Sequence, residues 1–226
     1  MKKKIILKSS ILAVAAGLSV FAINSVFADE LPVQFMGVND FHGALEQTGT
    51  ARLEGETVKN AGTAPLLATY LNDSQKDFET ENAGTPNASI RVQAGDMVGA
   101  SPANSALLQD EPTVKVFNEM NFEYGTLGNH EFDEGLGEFN RIMKGEAPTP
   151  GQFNKIVDEY PHEASKQEVV IANLVDKDTN KIPFDWKPYT IKEIPVNDKT
   201  VKVGFIGVVT TEFPNLVLRK NHEQYR

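Results

Sequence analysis

Short apolar runs alternate along this chain with segments whose apolar positions recur at helical spacing. Leu31 to Val38 (LPVQFMGV), Ser89 to Ala94 (SIRVQA) and Val169 to Leu174 (VVIANL) are brief and largely apolar, the pattern of buried strands. Between them Leu66, Leu67, Tyr70 and Leu71 predict a core-facing helix from Thr63-Ala64-Pro65 to about Asp77. Leu107 and Leu108 open a second helical region, and Pro112 suits the first turn of a third helix that buries Val114, Phe117 and Met120. Gly135 to Met143 predicts a fourth, shorter helix. Strand followed by helix, repeated, is the pattern of an α/β fold.

Polar and turn-rich stretches separate these elements. Gly49 to Gly62 reads as loop with a short hairpin around Arg52 to Val58. Asn82 to Ala88 and Gly145 to Gly151 read as surface turns. Tyr189 to Pro195 and Thr200 to Val208 predict two strands joined at Asn197-Asp198, with Trp186 and Tyr189 completing a core edge. The tail from Phe213 to Arg226 is polar, and no closing helix is expected there.

The first residues carry a different signal. Lys2, Lys3, Lys4 and Lys8 precede an apolar run from Ile11 to Ile23 that ends at Val26-Phe27-Ala28, which predicts a secretory signal peptide over residues 1–28, cut between Ala28 and Asp29. The run is short for a membrane span, so no stable membrane insertion is expected after cleavage. Cleavage removes four lysines and no acid, taking the net charge from −9 to about −13. So acidic a surface argues against a nucleic-acid polymer as partner and leaves room for a small phosphorylated substrate whose charge metal ions meet locally. There is no cysteine, so the exported chain holds together without disulfides. About 200 remaining residues suffice for one sizeable domain.

Chemistry collects where the strands end. The first strand runs into Asn39-Asp40-Phe41-His42-Gly43, where Asp40 and His42, two apart, share one side of an extended segment while Phe41 turns inward. The second delivers Gly95-Asp96. The segment after Phe122 ends in Tyr124 to Asp133 (YGTLGNHEFD), where glycines permit a sharp turn and the adjacent Asn129 and His130 project to opposite sides. Each loop alone also reads as an ordinary helix cap. Together, three strand ends bearing carboxylate, imidazole and carboxamide groups are what a two-metal site needs, with a carboxylate between two cations about 3.5–4 Å apart; Asp96 is the natural bridge. Asn173, at the end of the later strand, faces the same edge and reads either as a turn cap or as a substrate-lining residue.

These motifs, D-x-H at Asp40 and His42, G-D at Gly95 and Asp96, and G-N-H-E-x-D from Gly128 to Asp133, resemble the signature of the calcineurin-like metallophosphoesterases. The longer contexts NDFHG, QAGDMVGASP and GTLGNHEFDEG resemble the secreted bacterial 5'-nucleotidases and 2',3'-cyclic-nucleotide 2'-phosphodiesterases. The resemblance runs from about Leu31 to Pro214. It implies an α/β fold with a layered β-sandwich flanked by helices, and two divalent ions, zinc, manganese or similar. Asp40 and His42 would bind the first metal, Asp96 would bridge and Asn129 would bind the second. His130, held by Asp133, would be the catalytic imidazole, and Asn129, His130 and Asn173 would meet the substrate. Glu131 would be a supporting or helix-start acid.

The same resemblance implies further parts. Family members carry later histidines, including a G-H-x-H pair, and a C-terminal domain whose aromatic residues stack on the base. His162 reads as solvated surface, and His222 has no strand before it. Residues 29–226 therefore read as the N-terminal part of the phosphoesterase domain, incomplete at its C-terminus, and by itself of little activity. The expected function is phosphate release from extracellular nucleotides, outside the cell or attached to its wall through a region beyond these residues. Cyclic-nucleotide phosphodiesterase, UDP-sugar hydrolase and a catalytically silent binding module are the alternatives.

Overall fold

The structure, a computed structural model, describes residues 31–226; the export signal and its cut after Ala28 fall outside the described residues. Strand β1 (Val33–Val38) leads to a hairpin of β2 (Thr48–Leu53) and β3 (Glu56–Gly62). Its turn pairs Leu53 with Glu56, with Glu54 and Gly55 both at positive φ, as a tight two-residue hairpin requires. The hairpin is about twice as long as its polar sequence suggests, because its side chains stay exposed and no apolar alternation marks it.

Helix α1 (Ala64–Glu81) begins where the Thr63 hydroxyl accepts from the Leu66 N–H and ends where the Asn82 carboxamide donates to the Phe78 carbonyl at 2.7 Å. Leu71 is buried on it, whereas Tyr70, expected in the core, is exposed. After β4 (Ala88–Gln93) comes the single turn α2 (Ala103–Ala106), which ends at Leu107 rather than opening there, and Leu107 is exposed. Helix α3 (Glu111–Glu119) has Pro112 in its first turn, as expected, and buries Val114 and Phe117. The two-residue β5 (Tyr124–Gly125) follows. Helix α4 (Leu136–Lys144) stops at Gly145, in the left-handed region and pressed on the Ala164 backbone, where no side chain fits.

The chain continues through the single turn α5 (Lys155–Asp158) to β6 (Glu168–Val169), then to the hairpin of β7 (Tyr189–Val196) and β8 (Lys199–Ile206), turning at Asn197-Asp198 as predicted. Strands β1, β4, β5 and β6 form one parallel sheet in the order β1-β4-β5-β6. In the run from Val169 to Leu174, Val169, Val170, Ile171 and Leu174 are buried while Ala172 and Asn173 are exposed, and only its start joins the ladder. From Ile171 its N–H groups turn to the Lys187 and Gly207 carbonyls instead.

Helices α1, α3 and α4 supply core side chains over the Met36 face of the sheet, through Leu71, Val114, Phe117, Phe139 and Ile142. On the other face Phe205 of β8 stacks on Tyr124 and meets Phe35 edge-on, so the second hairpin forms a further layer. Trp186 packs against Phe139 and Phe184, while Tyr189 is exposed rather than a core edge. The tail also departs from expectation: α6 (Phe213–Leu216) and α7 (Arg219–His222) are single turns, and Phe213 and Tyr225 are buried against Phe132. Among the described residues no helix is long and apolar enough to cross a membrane.

Candidate metal and catalytic site

Three loops meet at the C-terminal edge of the parallel sheet, following β1, β4 and β5. The first two are zipped along their backbones: the N–H groups of Asp40, His42 and Gly43 donate to the carbonyls of Gly95, Asp96 and Met97 at 3.0–3.2 Å. This register forces Asp40, His42 and Asp96 to φ values of 52°, 47° and 53°. Left-handed backbone at non-glycine residues is uncommon, though Asp and His adopt it more readily than most, and here it accompanies three chemically equipped side chains. Gly95 is needed for a separate reason, since a Cβ there would lie 2.5 Å from the Gly128 nitrogen.

His42, Asp96 and His130 bring one ligand atom each to within 4.8 Å of one another. The two imidazoles meet edge to face, with centroids 4.6 Å apart. Nδ1 of His42 lies 2.9 Å from the Gly99 carbonyl, which only accepts, so Nδ1 carries the proton and the Nε2 lone pair is left for a cation. Asp40 stands at the rim, its Oδ1 3.9 Å from that Nε2 and its other oxygen bonded by the Asn39 carboxamide. The Asn129 carboxamide makes no hydrogen bond among the described residues, which leaves its oxygen available. An oxygen-and-imidazole donor set with its outer hydrogen bonds already made fits a borderline divalent ion.

His130 is oriented by its neighbours. Its Nδ1 donates to Asp133 Oδ2 at 2.8 Å, and the same oxygen accepts the Ala100 N–H at 3.0 Å. Burial works against the imidazolium, but the Asp133 hydrogen bond and the charges of Asp133, Asp96 and Glu131 outweigh it, and the His130 pKa is raised. The backbone N–H of His130 donates to Asp96 Oδ1 at 2.9 Å.

Glu131 has a larger part here than its sequence position suggests. Its side chain is fully buried and accepts the N–H groups of Asp96, Met97 and Gly128 at 3.0, 2.8 and 2.6 Å. Burial pushes its carboxyl up to about 7 despite those three donors. The only sequence signal for it is the acid that follows Asn-His in the motif. Asn173 forms a two-way pair with the Val209 backbone, donating to the carbonyl at 2.7 Å and accepting from the N–H at 2.9 Å. Its carboxamide thus braces one chain segment against another. His162, read from sequence as solvated, is instead largely buried, with Nδ1 2.6 Å from Glu111; Glu111 also binds Arg141 at 2.9 Å. His222 lies against Phe213.

No protein-family model matches the chain. A cell wall protein of Listeria monocytogenes is 52% identical over 199 residues, covering 88% of this chain and 24% of that protein. An endonuclease of Bacillus subtilis is 36% identical over 192 residues, 84% of this chain and 14% of its own length. A 2',3'-cyclic-nucleotide 2'-phosphodiesterase/3'-nucleotidase of Salmonella typhimurium is 32% identical over 133 residues, 54% of this chain and 17% of that enzyme. The chain's homologues include members of the 5'-nucleotidase and 2',3'-cyclic-nucleotide phosphodiesterase family. The fold agrees: a calcineurin-like phosphoesterase of Bacillus subtilis superposes with a TM-score of 0.55 at 23% identity, over 85% of this chain and 52% of that one. The chain thus spans a quarter or less of the length of these three relatives.

Proposed function

We propose that the protein is an exported, metal-dependent phosphohydrolase that releases phosphate from extracellular nucleotides in the manner of a 5'-nucleotidase. The observation that carries this reading is the convergence of His42, Asp96 and His130 within 4.8 Å, with both imidazoles already committed at Nδ1. Asp40 and His42 would hold one divalent ion and Asn129 a second, with Asp96 shared by the two. Such ions, when bound, neutralise phosphoryl charge and make water a competent nucleophile.

The chain's own residues do the rest. Asp133 fixes the His130 tautomer, so Nε2 is the nitrogen that faces the reacting group. The Asp133 hydrogen bond favours the imidazolium, and an Nε2–H there can stabilise the transferring phosphoryl or protonate the leaving oxygen. The His130 N–H holds one oxygen of Asp96, which aims the carboxylate.

The Listeria relative, a cell wall protein, supports a site of action outside the cell. The Salmonella relative's name favours a second substrate class, the 2',3'-cyclic nucleotides. An acidic chain suits a small nucleotide better than a polymer, although one relative is an endonuclease. Because the chain spans so little of these relatives, the activity is proposed for the whole protein, and residues 31–226 alone are expected to turn over slowly. The test is phosphate release from AMP, 2',3'-cyclic AMP and a short oligonucleotide, with and without Mn²⁺ or Zn²⁺, using the longest product of the reading frame. Release that needs metal and is lost in Asp96→Asn and His130→Ala supports the reading; release from none of them, with metal bound, favours a silent binding module.

A further inference from the structure

The loops after β4 and β5 carry Asp96 on one side and Asn129 with His130 on the other. Beyond the short pairing of Val92 and Gln93 with Tyr124 and Gly125, no backbone–backbone hydrogen bond joins them among the described residues. This contrasts with the loops after β1 and β4, zipped by three such bonds. What joins the β4 and β5 loops is side chains. Gln93, buried at the end of β4, accepts the Gly95 N–H at 2.6 Å and donates to the Thr126 carbonyl at 2.9 Å. Glu131 takes the Asp96 and Met97 N–H groups on one loop and the Gly128 N–H on the other.

We propose that Glu131 is a positioning residue, a buried three-amide clamp that sets the separation between Asp96 and the Asn129-His130 pair and so sets divalent-cation affinity without touching the cation. The inference rests on the metal-site reading above. Geometry singles out Glu131 over its neighbours. Asp133 also spans the loops, but it takes a single backbone N–H, from Ala100, together with the His130 ring. The Glu131 carboxylate takes three backbone N–H groups, and each bond falls on or next to a candidate ligand: Asp96 itself, Met97 beside it, and Gly128 beside Asn129. A carboxylate is the side chain that accepts three N–H groups at once; a carboxamide in the same space must turn an NH₂ toward at least one of them.

The experiment measures Mn²⁺ binding by isothermal titration calorimetry to wild type, Glu131→Gln, Glu131→Asp, Asp96→Asn and Val114→Ala, with metal-free urea melts of each. Val114 is buried in the core and makes no hydrogen bond to the site loops through its side chain, so it reports what lost stability alone does. Amide exchange of Asp96, Met97 and Gly128 in the metal-free protein gives a readout independent of metal. The expected result is Mn²⁺ binding by wild type, weakened at least about tenfold in Glu131→Gln and less in Glu131→Asp, which keeps the charge. The three amides lose protection in Glu131→Gln, and Val114→Ala binds as wild type. If wild type and both Glu131 variants bind alike while Asp96→Asn does not, the clamp is refuted and the metal site stands. If Glu131→Gln and Val114→Ala weaken binding in proportion to lost stability, the role is structural and the proposal fails. If wild type binds no Mn²⁺, the metal-site reading falls, and the proposal with it.

Discussion

Gly128→Ala probes the closeness of the β4 and β5 loops with a single methyl group. Gly128 does not occupy the left-handed region, so alanine meets no backbone penalty and the effect is steric. A Cβ there would lie 2.2 Å from Asp96 Oδ1, 2.7 Å from its Cγ and 2.8 Å from its backbone nitrogen. To restore an ordinary contact of 3.4 Å, the oxygen must retreat by about 1.2 Å. That is more than half of a metal–oxygen bond of roughly 2.0–2.2 Å. The retreat also breaks the 2.9 Å bond from the His130 N–H, and a hydrogen bond to a charged group contributes about 1.5–3 kcal/mol. The metal-free variant should therefore unfold at lower urea, with a loss of about 2 kcal/mol, and bind Mn²⁺ at least about tenfold more weakly by calorimetry. Gly137→Ala is the control: it sits exposed in α4 with nothing within 4 Å, and should stabilise by roughly 0.5–1 kcal/mol. A Gly128→Ala protein with wild-type midpoint and wild-type affinity would refute the argument, because the methyl group would then have found room the geometry denies it.

Three further outcomes are expected. In the metal-free protein Asp133→Asn should lower the His130 pKa, followed by NMR of the imidazole ring protons. Since the folded value lies above the ordinary one, the His130–Asp133 pair stabilises fully below about pH 6.5 and its contribution is lost as pH rises through the folded pKa; an unmoved titration would show that Asp133 does not hold the imidazolium. Glu111→Ala strips a buried carboxylate from Arg141 and His162 and should cost about 3–5 kcal/mol in urea melts, far more than any exposed ion pair. Phe132→Ala, removing a fully buried ring stacked on Phe213 at 4.8 Å, should cost about 3–5 kcal/mol and loosen the tail, detected as faster proteolysis after Phe213.

The sequence made the site legible because its parts are local. Each motif sits within a few residues of a strand end, and a strand end in an α/β fold has a known address. What was hidden depends on residues distant in the chain. His162 looks solvated until Glu111, 51 positions away, arrives at its ring. Phe213 and Tyr225 sit in a polar tail too short to show a period, and only Phe132 reveals them as core. Asn173 faced two readings, and the pair it makes with Val209 lies 36 residues along the chain. Glu131 had a motif but no pattern, since one buried acid in a single helical turn leaves no periodicity. The positive φ values of Asp40, His42 and Asp96 were invisible for a simpler reason: left-handed backbone is read from glycines, and these are not glycines.

The most direct test of the central claim is the anomalous difference density of crystals of this protein soaked in MnCl₂. The account predicts two peaks about 3.5–4 Å apart on either side of the Asp96 carboxylate, one against His42 and Asp40 and the other against Asn129. Well-ordered side chains at Asp40, His42, Asp96 and Asn129 with no peak between them at saturating Mn²⁺ would contradict it.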